Sequence, residues 1–242
     1  MDKPPTLIEL QGINFTYSGE NAVLQDLDFT FHKDDRVGLL APNGSGKTTF
    51  FHIIMGLLKP DRGNIYIFGR PVHSEKDFAG VRQRIGLLFQ DSDDQLFCPT
   101  VLEDVAFGPL NMGYKRQAAI AIARETLATV GFSGYENRIT YKLSGGEKRM
   151  IALAAVLAMK PEVLLLDEPL TGLDTKTRKV LHDILMTLNL PYIIISHDID
   201  FLGATTRSIY TLEDGRIYLD SQIHYHRHEH AHVFGNRPHR HD

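Results

Sequence analysis

An α/β fold with a mostly parallel sheet is the architecture that the sequence predicts. Three apolar runs, at residues 37–40, 163–166 and 192–195, are continuous, which is typical of strands buried on both faces of a parallel sheet. Segments with helical spacing separate these runs, and such alternation indicates an α/β core. The length of 242 residues suits one large domain or a core with an inserted subdomain, and the hydrophobic content of 43% is ordinary for a globular protein.

The N-terminal part of the chain is expected to form antiparallel strands. Residues 7–15 and 23–31 have the apolar alternation of strands, and the turn-forming residues 18–21 lie between them. A further strand is predicted at residues 64–69. Residues 70–80 are polar and mixed, so no element is predicted there.

The middle of the chain is predicted to be mainly helical. A strand at residues 85–89 ends at Gln90, and the acidic, aperiodic residues 91–97 indicate a loop. Apolar side chains recur with helical spacing in residues 101–107 and 115–130, which predicts two helices.

Two more helices and a hairpin complete the predicted fold. One helix runs from Ser144 to Ala158, and Ser144 followed three residues later by Glu147 is a capping-box pattern. A second helix is predicted at residues 175–188, and residues 208–219 are expected to form a closing hairpin.

A glycine-rich turn between the buried strand at residues 37–40 and an apolar helix predicted at residues 50–58 predicts a phosphate site. The turn and the start of the helix consist of Ala41, Pro42, Asn43, Gly44, Ser45, Gly46, Lys47, Thr48 and Thr49. Glycines let successive backbone N–H groups converge on a phosphate, and the helix N-terminus adds partial positive charge. Lys47 supplies a charge for the β- and γ-phosphates of a nucleotide, and the Thr48 hydroxyl is placed to bind Mg²⁺. Ala41 stands where the motif usually has glycine, and alanine fits if its φ is negative.

Polar residues directly follow three further apolar strands, and the four strand ends meet if these strands are neighbours. Asp167 is then placed as a carboxylate ligand of Mg²⁺, and Glu168 as the general base that polarises water. Gln90 offers an amide oxygen to Mg²⁺ or to the attacking water, and His197 either donates to the γ-phosphate or orients Glu168. Each residue taken alone also suits an ordinary structural role, such as a helix cap or a core histidine.

The segment of Ser144, Gly145 and Gly146 begins a second helix whose N-terminus suits an anion. A well-capped helix is the simpler interpretation of the same residues, and the spacing does not say which phosphate the helix would face. Tyr17 is open to two interpretations as well, because its ring is either a core aromatic or a surface on which a nucleotide base stacks.

Taken together, these residues resemble the ATPase subunits of ABC transporters, over residues 7–220. The resemblance implies a P-loop NTPase core over residues 1–220, with an N-terminal antiparallel β part and a helical subdomain inserted at about residues 91–160. It makes Tyr17 the base-stacking aromatic, Gln90 the start of the Q-loop and His197 the switch histidine. It also identifies a signature (Leu143, Ser144, Gly145, Gly146 and Glu147), the Asp167–Glu168 pair, and a D-loop (Thr171, Gly172, Leu173 and Asp174). The chain differs from the family pattern at Ala41 and at Glu147, where many members carry glutamine.

The family resemblance also implies partners. Two such subunits, as a homodimer or as a pair of related chains, sandwich two ATP molecules with Mg²⁺. The signature serine and glycines of one subunit then cap the γ-phosphate bound by the P-loop of the other. The Q-loop sequence, with residues 105–109 after it, is similar to energy-coupling-factor importers, especially the cobalt and nickel branch. Members of that group work with a multispanning transmembrane coupling protein and a substrate-capture membrane subunit, which would place this chain peripherally on the cytoplasmic face of the cell membrane.

The composition limits the classes of function. A net charge of −4 argues against broad nucleic-acid binding, so no nucleic-acid partner is expected. Cys98 is the only cysteine, so an internal disulfide is impossible and a reducing cytoplasm fits. No apolar run approaches the ~18–20 residues that a membrane-spanning helix needs, and no apolar signal region follows the N-terminus. We therefore expect any membrane role to come through a partner.

Residues 221–242 form a histidine-rich tail that we expect to be disordered. Seven of the twelve histidines lie there, and five of these alternate with other residues: His224, His226, His228, His230 and His232. Alternate side chains of an extended chain share a face, so these imidazoles are candidate ligands for Ni²⁺, Co²⁺, Zn²⁺ or Cu²⁺. A merely solvated tail, a pH-sensitive tail and a metal-storing tail are the alternatives.

The sequence therefore predicts an ATP-hydrolysing subunit that powers a membrane importer for a transition-metal cation, cobalt or nickel. One alternative is an energy-coupling ATPase for a vitamin or another solute. The other is an ABC ATPase without a transport role, for example in cofactor assembly or DNA repair. The lack of a long coiled-coil insertion argues against the repair type.

Overall fold

The computed structural model describes residues 4–18, 21–42 and 44–219. Two sequence predictions fall outside these ranges, namely the P-loop residue Asn43 and the histidine-rich tail.

The larger sheet has six strands, and all but one of its neighbouring pairs are parallel. Its members are β3 (Arg36–Leu40), β6 (Ile85–Leu88), β7 (Val163–Asp167), β8 (Tyr192–Ile195), β9 (Ser208–Glu213) and β10 (Arg216–Leu219). They lie in the order β10-β9-β3-β8-β7-β6, and only the β9–β10 hairpin is antiparallel. Every residue of β6, β7 and β8 is buried, as their uninterrupted apolar sequences predict.

The smaller sheet is antiparallel and lies in the N-terminal part of the chain. Its strands, in the order β2-β1-β4-β5, are β1 (Thr6–Thr16), β2 (Ala22–His32), β4 (Arg62–Ile67) and β5 (Arg70–Pro71). Seven α-helices complete the described part: α1 (Lys47–Ile54), α2 (Glu75–Arg84), α3 (Val101–Asn111), α4 (Arg116–Thr129), α5 (Gly145–Ala158), α6 (Thr175–Thr187) and α7 (Ile199–Thr205). The predicted fold class is confirmed.

The larger sheet separates two apolar cores. Because strand side chains alternate between the two faces of a sheet, Leu165 packs on the side of the smaller sheet and α1, and Leu164 packs on the side of α3, α4 and α5. The same alternation divides Ile193 from Ile194 in β8. Each buried strand therefore contributes to both cores, and this holds its carboxyl end in place.

Two helices are missing from the sequence prediction, and both omissions have a physical reason. In α2 only Phe78 and Val81 are buried, so the apolar period is too weak to detect, although Ser74 and Asp77 form a capping box. The helix α7 has only seven residues, and Asp198 caps it by accepting a hydrogen bond from the backbone N–H of Phe201.

The lengths of two predicted helices also change. The helix α1 ends at Ile54, because Gly56 turns the chain with a φ of 66°. The helix α3 continues to Asn111 and contains Pro109. The helices α3, α4 and α5 occupy the segment expected for the helical subdomain, whose limits remain a prediction.

Gly56 provides a stability test of this packing. A Cβ at Gly56 would lie 2.2 Å from Cγ of Phe78, and the φ of 66° adds strain for any L side chain. We expect Gly56→Ala to lower the free energy of unfolding by about 2–5 kcal/mol, since left-handed strain and overpacking add. Urea unfolding followed by circular dichroism measures the change.

The control is Gly80→Ala on α2, where a Cβ meets no atom within 4 Å. That change should stabilise the protein by about 0.5–1 kcal/mol, because alanine favours helices. Equal effects of the two substitutions would contradict the packing described here.

Candidate nucleotide site

The strand order brings the predicted site residues to one edge of the larger sheet. The strands β3, β8, β7 and β6 are neighbours, so the P-loop, His197, Asp167–Glu168 and Gln90 follow adjacent strands at the same edge. One cavity of about 600 Å³ there includes Thr48, Gln90, Gly145 and Thr171 in its lining. Residues of the P-loop, the Q-loop and the D-loop and the first residue of α5 thus line this cavity.

The described part of the P-loop has the backbone that a phosphate cradle needs. Gly44 and Gly46 have φ values of 81° and 91°, and a Cβ on Gly46 would lie 2.7 Å from Cγ1 of Val23. Ala41 is buried and is not among the residues with positive φ, so an alanine fits there. The Ser45 hydroxyl is buried and has no hydrogen-bond partner among the described residues, which suits a position facing a polar ligand.

Glu168 lies at the centre of a buried polar chain. The Lys47 ammonium donates to Oε1 of Glu168 at 2.9 Å, and Nδ1 of His197 lies 2.9 Å from Oε2. Glu168 is only 3% exposed, whereas the side chain of His197 is largely open to solvent. The backbone of Glu168 has a φ of 46°, a strained value for a glutamate that its buried contacts must offset. His197 therefore contacts Glu168, and which of its two predicted roles it has remains a prediction.

Asp167 and Thr48 form a pair of oxygen donors suited to a hard divalent cation. The Thr48 hydroxyl donates to Oδ2 of Asp167 at 2.9 Å, and Oδ1 is buried without a hydrogen-bond partner among the described residues. Burial raises the pKa of Asp167, while the Thr48 hydroxyl and the nearby Lys47 and Arg149 charges oppose this shift. A desolvated carboxylate beside a hydroxyl fits Mg²⁺, which prefers oxygen ligands.

Tyr17 lies on the surface and is not a core aromatic. Its residue is 39% exposed, and its hydroxyl lies 3.1 Å from the Thr49 hydroxyl on the first turn of α1. The ring meets Phe15 edge-on, with centroids 4.8 Å apart. Stacking of a nucleotide base on Tyr17 remains a prediction. Another cavity of about 730 Å³ lies beside the P-loop, and its lining includes Asn21, Val23, Gln25, Gly44, Ser45 and Asp214.

The signature begins α5 with the predicted capping box. The backbone N–H of Ser144 donates to Oε2 of Glu147 at 2.8 Å, and the Ser144 hydroxyl accepts from the Glu147 N–H. Ser144 and Gly145 are exposed, and Leu143 is buried beneath them. Gly146 packs on the D-loop, since a Cβ there would lie 3.0 Å from the carbonyl oxygen of Gly172.

Several supporting residues could not be found by their spacing in the sequence. The Tyr135 hydroxyl donates to Oε1 of Glu147 at 2.9 Å, and Arg138 lies over the Tyr135 ring and also reaches Oε1. The pKa of Glu147 is lowered, mainly by the hydrogen bond from the Ser144 N–H. The hydrogen bonds of the Tyr135 and Ser144 side chains lower it further. Arg149, in the predicted core helix, is a buried cation that donates to the Phe89 and Gln90 carbonyls.

Asp174 acts within this chain as the N-cap of α6. Its carboxylate accepts a hydrogen bond from the Thr177 N–H at 2.7 Å, and this bond lowers the pKa of Asp174. The D-loop role of Asp174 remains a prediction.

Comparison with known proteins identifies the family. The family model described as "ABC transporter" matches residues 24–171, more than half of the chain. The chain belongs to the ABC transporter ATP-binding family. It is an ABC ATPase, an enzyme that couples ATP hydrolysis to transport.

Several relatives of this ABC ATPase are similar over most of their length. A putative ABC transporter ATP-binding protein of Nitratidesulfovibrio vulgaris is 49% identical over 97% of this chain and 86% of its own. The energy-coupling factor transporter ATP-binding protein EcfA of Methanocaldococcus jannaschii is 42% identical over 87% of this chain and 77% of its own.

Two solved structures agree with the fold. The cbiO1 protein of Clostridium perfringens, part of the ABC transporter complex cbiONQ, is 32% identical with a TM-score of 0.78, covering 89% of this chain and 88% of its own. The ATP-binding cassette MJ0796, solved as a dimer in a post-hydrolysis state with ADP and Pi, is 27% identical with a TM-score of 0.80, covering 87% and 96%.

Within the ABC ATPase ranges that the structure describes, every helix is too short or too polar to cross a membrane. The same ranges contain no group of three or more histidine, cysteine, aspartate or glutamate residues arranged to hold a metal ion. The five alternating histidines of the tail lie outside these ranges.

Glu168→Gln tests the general base. The amide keeps the shape of the side chain and still accepts from Lys47, but it cannot take a proton from water. We expect ATP hydrolysis to fall about 10²–10⁴-fold while equilibrium binding of labelled ATP is kept.

The matched control for this substitution is Glu162→Gln, a half-exposed glutamate that pairs with Arg84 just before β7 begins. It should leave hydrolysis near the wild-type rate. Near-normal hydrolysis by the Glu168 variant would rule out Glu168 as the base.

Proposed function

We propose that this ABC ATPase powers a membrane importer for a transition-metal cation, cobalt or nickel. The observation that carries the ATPase part of the proposal is the contact of Lys47 and His197 with one buried carboxylate, Glu168, beside the Thr48–Asp167 oxygen pair. These are the groups that phosphoryl transfer to water requires.

The nucleotide is held by the P-loop, with its base on the Tyr17 ring. Thr48, Asp167 and Gln90 are the residues that would hold Mg²⁺, which, when bound, neutralises charge on the phosphates. The Lys47 ammonium binds the β- and γ-phosphates, and this contact competes with its present bond to Glu168. Glu168 is then free to accept a proton from the attacking water, and His197 keeps its carboxylate oriented.

The complete site needs two subunits. Ser144 and Gly145 are exposed at the N-terminus of α5, where they suit the γ-phosphate of a nucleotide bound by another chain. The dimeric form of the similar cassette MJ0796 supports this arrangement. The partner is a second copy of this chain or a related subunit.

A membrane subunit is expected to dock beside the Q-loop. Phe97 is 65% exposed and Phe107 is 40% exposed, and their rings meet edge-on with centroids 4.7 Å apart. Exposed aromatic pairs of this kind mark interaction surfaces. The similarity to EcfA and to cbiO1 of the cbiONQ complex supports a transmembrane coupling protein and a substrate-capture subunit as partners, and a position on the cytoplasmic face of the membrane.

The histidine-rich tail favours a metal cargo. Lys47→Ala in the native host tests the transport role and the cargo together. The variant loses the charge that binds phosphates, so uptake of labelled Co²⁺ or Ni²⁺ should fall to the level of a deletion strain. Uptake of labelled vitamins in the same cells should not change.

Lys179→Ala, at an exposed lysine on α6, is the control and should transport normally. Loss of vitamin uptake with normal metal uptake would favour the vitamin alternative. Loss of neither would contradict both a metal cargo and a vitamin cargo, and would favour another solute.

The tail is proposed to bind the same metal. Deleting residues 221–242 should leave ATP hydrolysis intact and remove Ni²⁺ and Co²⁺ binding from the isolated subunit, measured by calorimetry. Neutral imidazole is the ligand and its ordinary pKa is about 6.5, so binding to the full chain should weaken below roughly pH 6, as protons occupy the nitrogens. Equal metal binding by the truncated and full chains would show that the tail is not the site.

A further inference from the structure

Arg149 ties the signature helix to the start of the Q-loop. It lies in the second turn of α5 and is 3% exposed. Its two terminal nitrogens donate to the backbone carbonyls of Phe89 and Gln90, the first two residues after β6. One planar group therefore holds two successive carbonyls, a geometry that a guanidinium fits and an ammonium does not.

Two other sets of contacts hold the Q-loop in its present position against α5. The Gln95 side chain accepts from the Phe89 N–H at 3.2 Å and donates to the Leu87 carbonyl at 3.0 Å, which closes the loop onto the end of β6. Lys148, the neighbour of Arg149, bridges to Asp93 at 2.5 Å. The loop is thus closed on itself and attached twice to the signature helix.

Packing alone does not explain why a charged side chain is buried at Arg149. Its Nε is buried without a hydrogen-bond partner among the described residues, and Arg149 lines the same cavity as Thr48 and Gln90. Desolvation lowers the pKa of Arg149, while the charges of Asp167, Asp91 and Glu168 oppose that shift. An apolar side chain would avoid the desolvation cost but would leave the Phe89 and Gln90 carbonyls without these donors, so the cation is retained for its hold on the loop backbone.

We infer that Arg149 is a positioning residue for Gln90. When a nucleotide contacts the signature, Arg149 couples that contact to the position of the Q-loop in the same chain. The inference rests on the proposed two-subunit site. In that site the signature of one chain serves one nucleotide, and its Q-loop serves the other. If the nucleotide bound by the partner displaces α5, Arg149 moves Gln90, which lies at the second nucleotide. Hydrolysis at the two sites is therefore cooperative.

Three variants of the full chain test this role: Arg149→Met, Arg149→Lys and the matched control Arg36→Met. Arg36 is another partly buried arginine that donates to a backbone carbonyl, that of Leu188 at 2.6 Å, and its guanidinium lies over Tyr192. It begins β3 at the end away from the P-loop, so its loss affects packing but not the Q-loop.

Arg149→Met should lower kcat about 10–100-fold, because misplacement of a positioning contact has effects of that size. The Hill coefficient for ATP should fall to 1, while the Kd of the isolated subunit for ATP should stay at the wild-type value. Backbone hydrogen exchange in residues 89–91 should speed up, because the carbonyl clamp is gone. Arg149→Lys should recover part of kcat and of the Hill coefficient, since it keeps the charge with fewer donors. Arg36→Met should leave the Hill coefficient unchanged.

An unchanged kcat and Hill coefficient in Arg149→Met would overturn the inference. An equal loss of kcat and of the Hill coefficient in Arg36→Met would also overturn it, as would a Hill coefficient of 1 in the wild-type protein. If Arg149→Met does not fold, Arg149→Lys decides, because it keeps the buried charge. A wild-type chain that binds no ATP would instead overturn the proposed function. In that case hydrogen exchange still reports whether Arg149 holds the loop.

Discussion

The site depends on parallel pairing of four buried strands. Parallel strands bring all their carboxyl ends to one edge of a sheet, and the order β3-β8-β7-β6 places four chemically distinct ends side by side. A slip by one residue would exchange the side chains that pack in the two apolar cores, and the close packing of both cores opposes such a slip. Contacts such as Lys47 to Glu168, 121 residues apart in the chain, therefore need no flexible loop to bring them together.

Charges at this edge are buried at a cost that a purely structural core would avoid. Lys47, Arg149, Asp167 and Glu168 are each at least nine-tenths buried. Removing an ion from water costs several kcal/mol, and pairing offsets only part of that. The strained backbone of Glu168 adds to the cost. Such a concentration of strain and desolvation at one place is typical of a catalytic site rather than of a stabilising network.

Most of the fold, and the placement of the main candidate residues at one sheet edge, could be predicted because both follow from local sequence patterns. Continuous apolar runs gave the strands, and strand order then brought Gln90, Asp167 and His197 together as expected. The helix α2 was missed because it buries only two side chains. Arg149 was missed for a different reason: it lies among apolar helical residues, and its carbonyl partners at residues 89 and 90 are known only once α5 packs against β6. Contacts from side chain to distant backbone leave no periodic signal.

Glu147 departs from the family pattern, and hydrogen bonds from residues outside the signature compensate for the change. Glutamate and glutamine can both close a capping box, because each offers an oxygen to the Ser144 N–H. Only a carboxylate has a second acceptor oxygen for the Tyr135 hydroxyl and the Arg138 guanidinium, which here both reach Oε1. An amide would turn its NH₂ group towards the Arg138 donors. The negative charge beside a serine proposed to meet a phosphate is thus balanced by a cation from outside the signature, and the orientation of Ser144 depends on residues 135 and 138 as well as on its own helix.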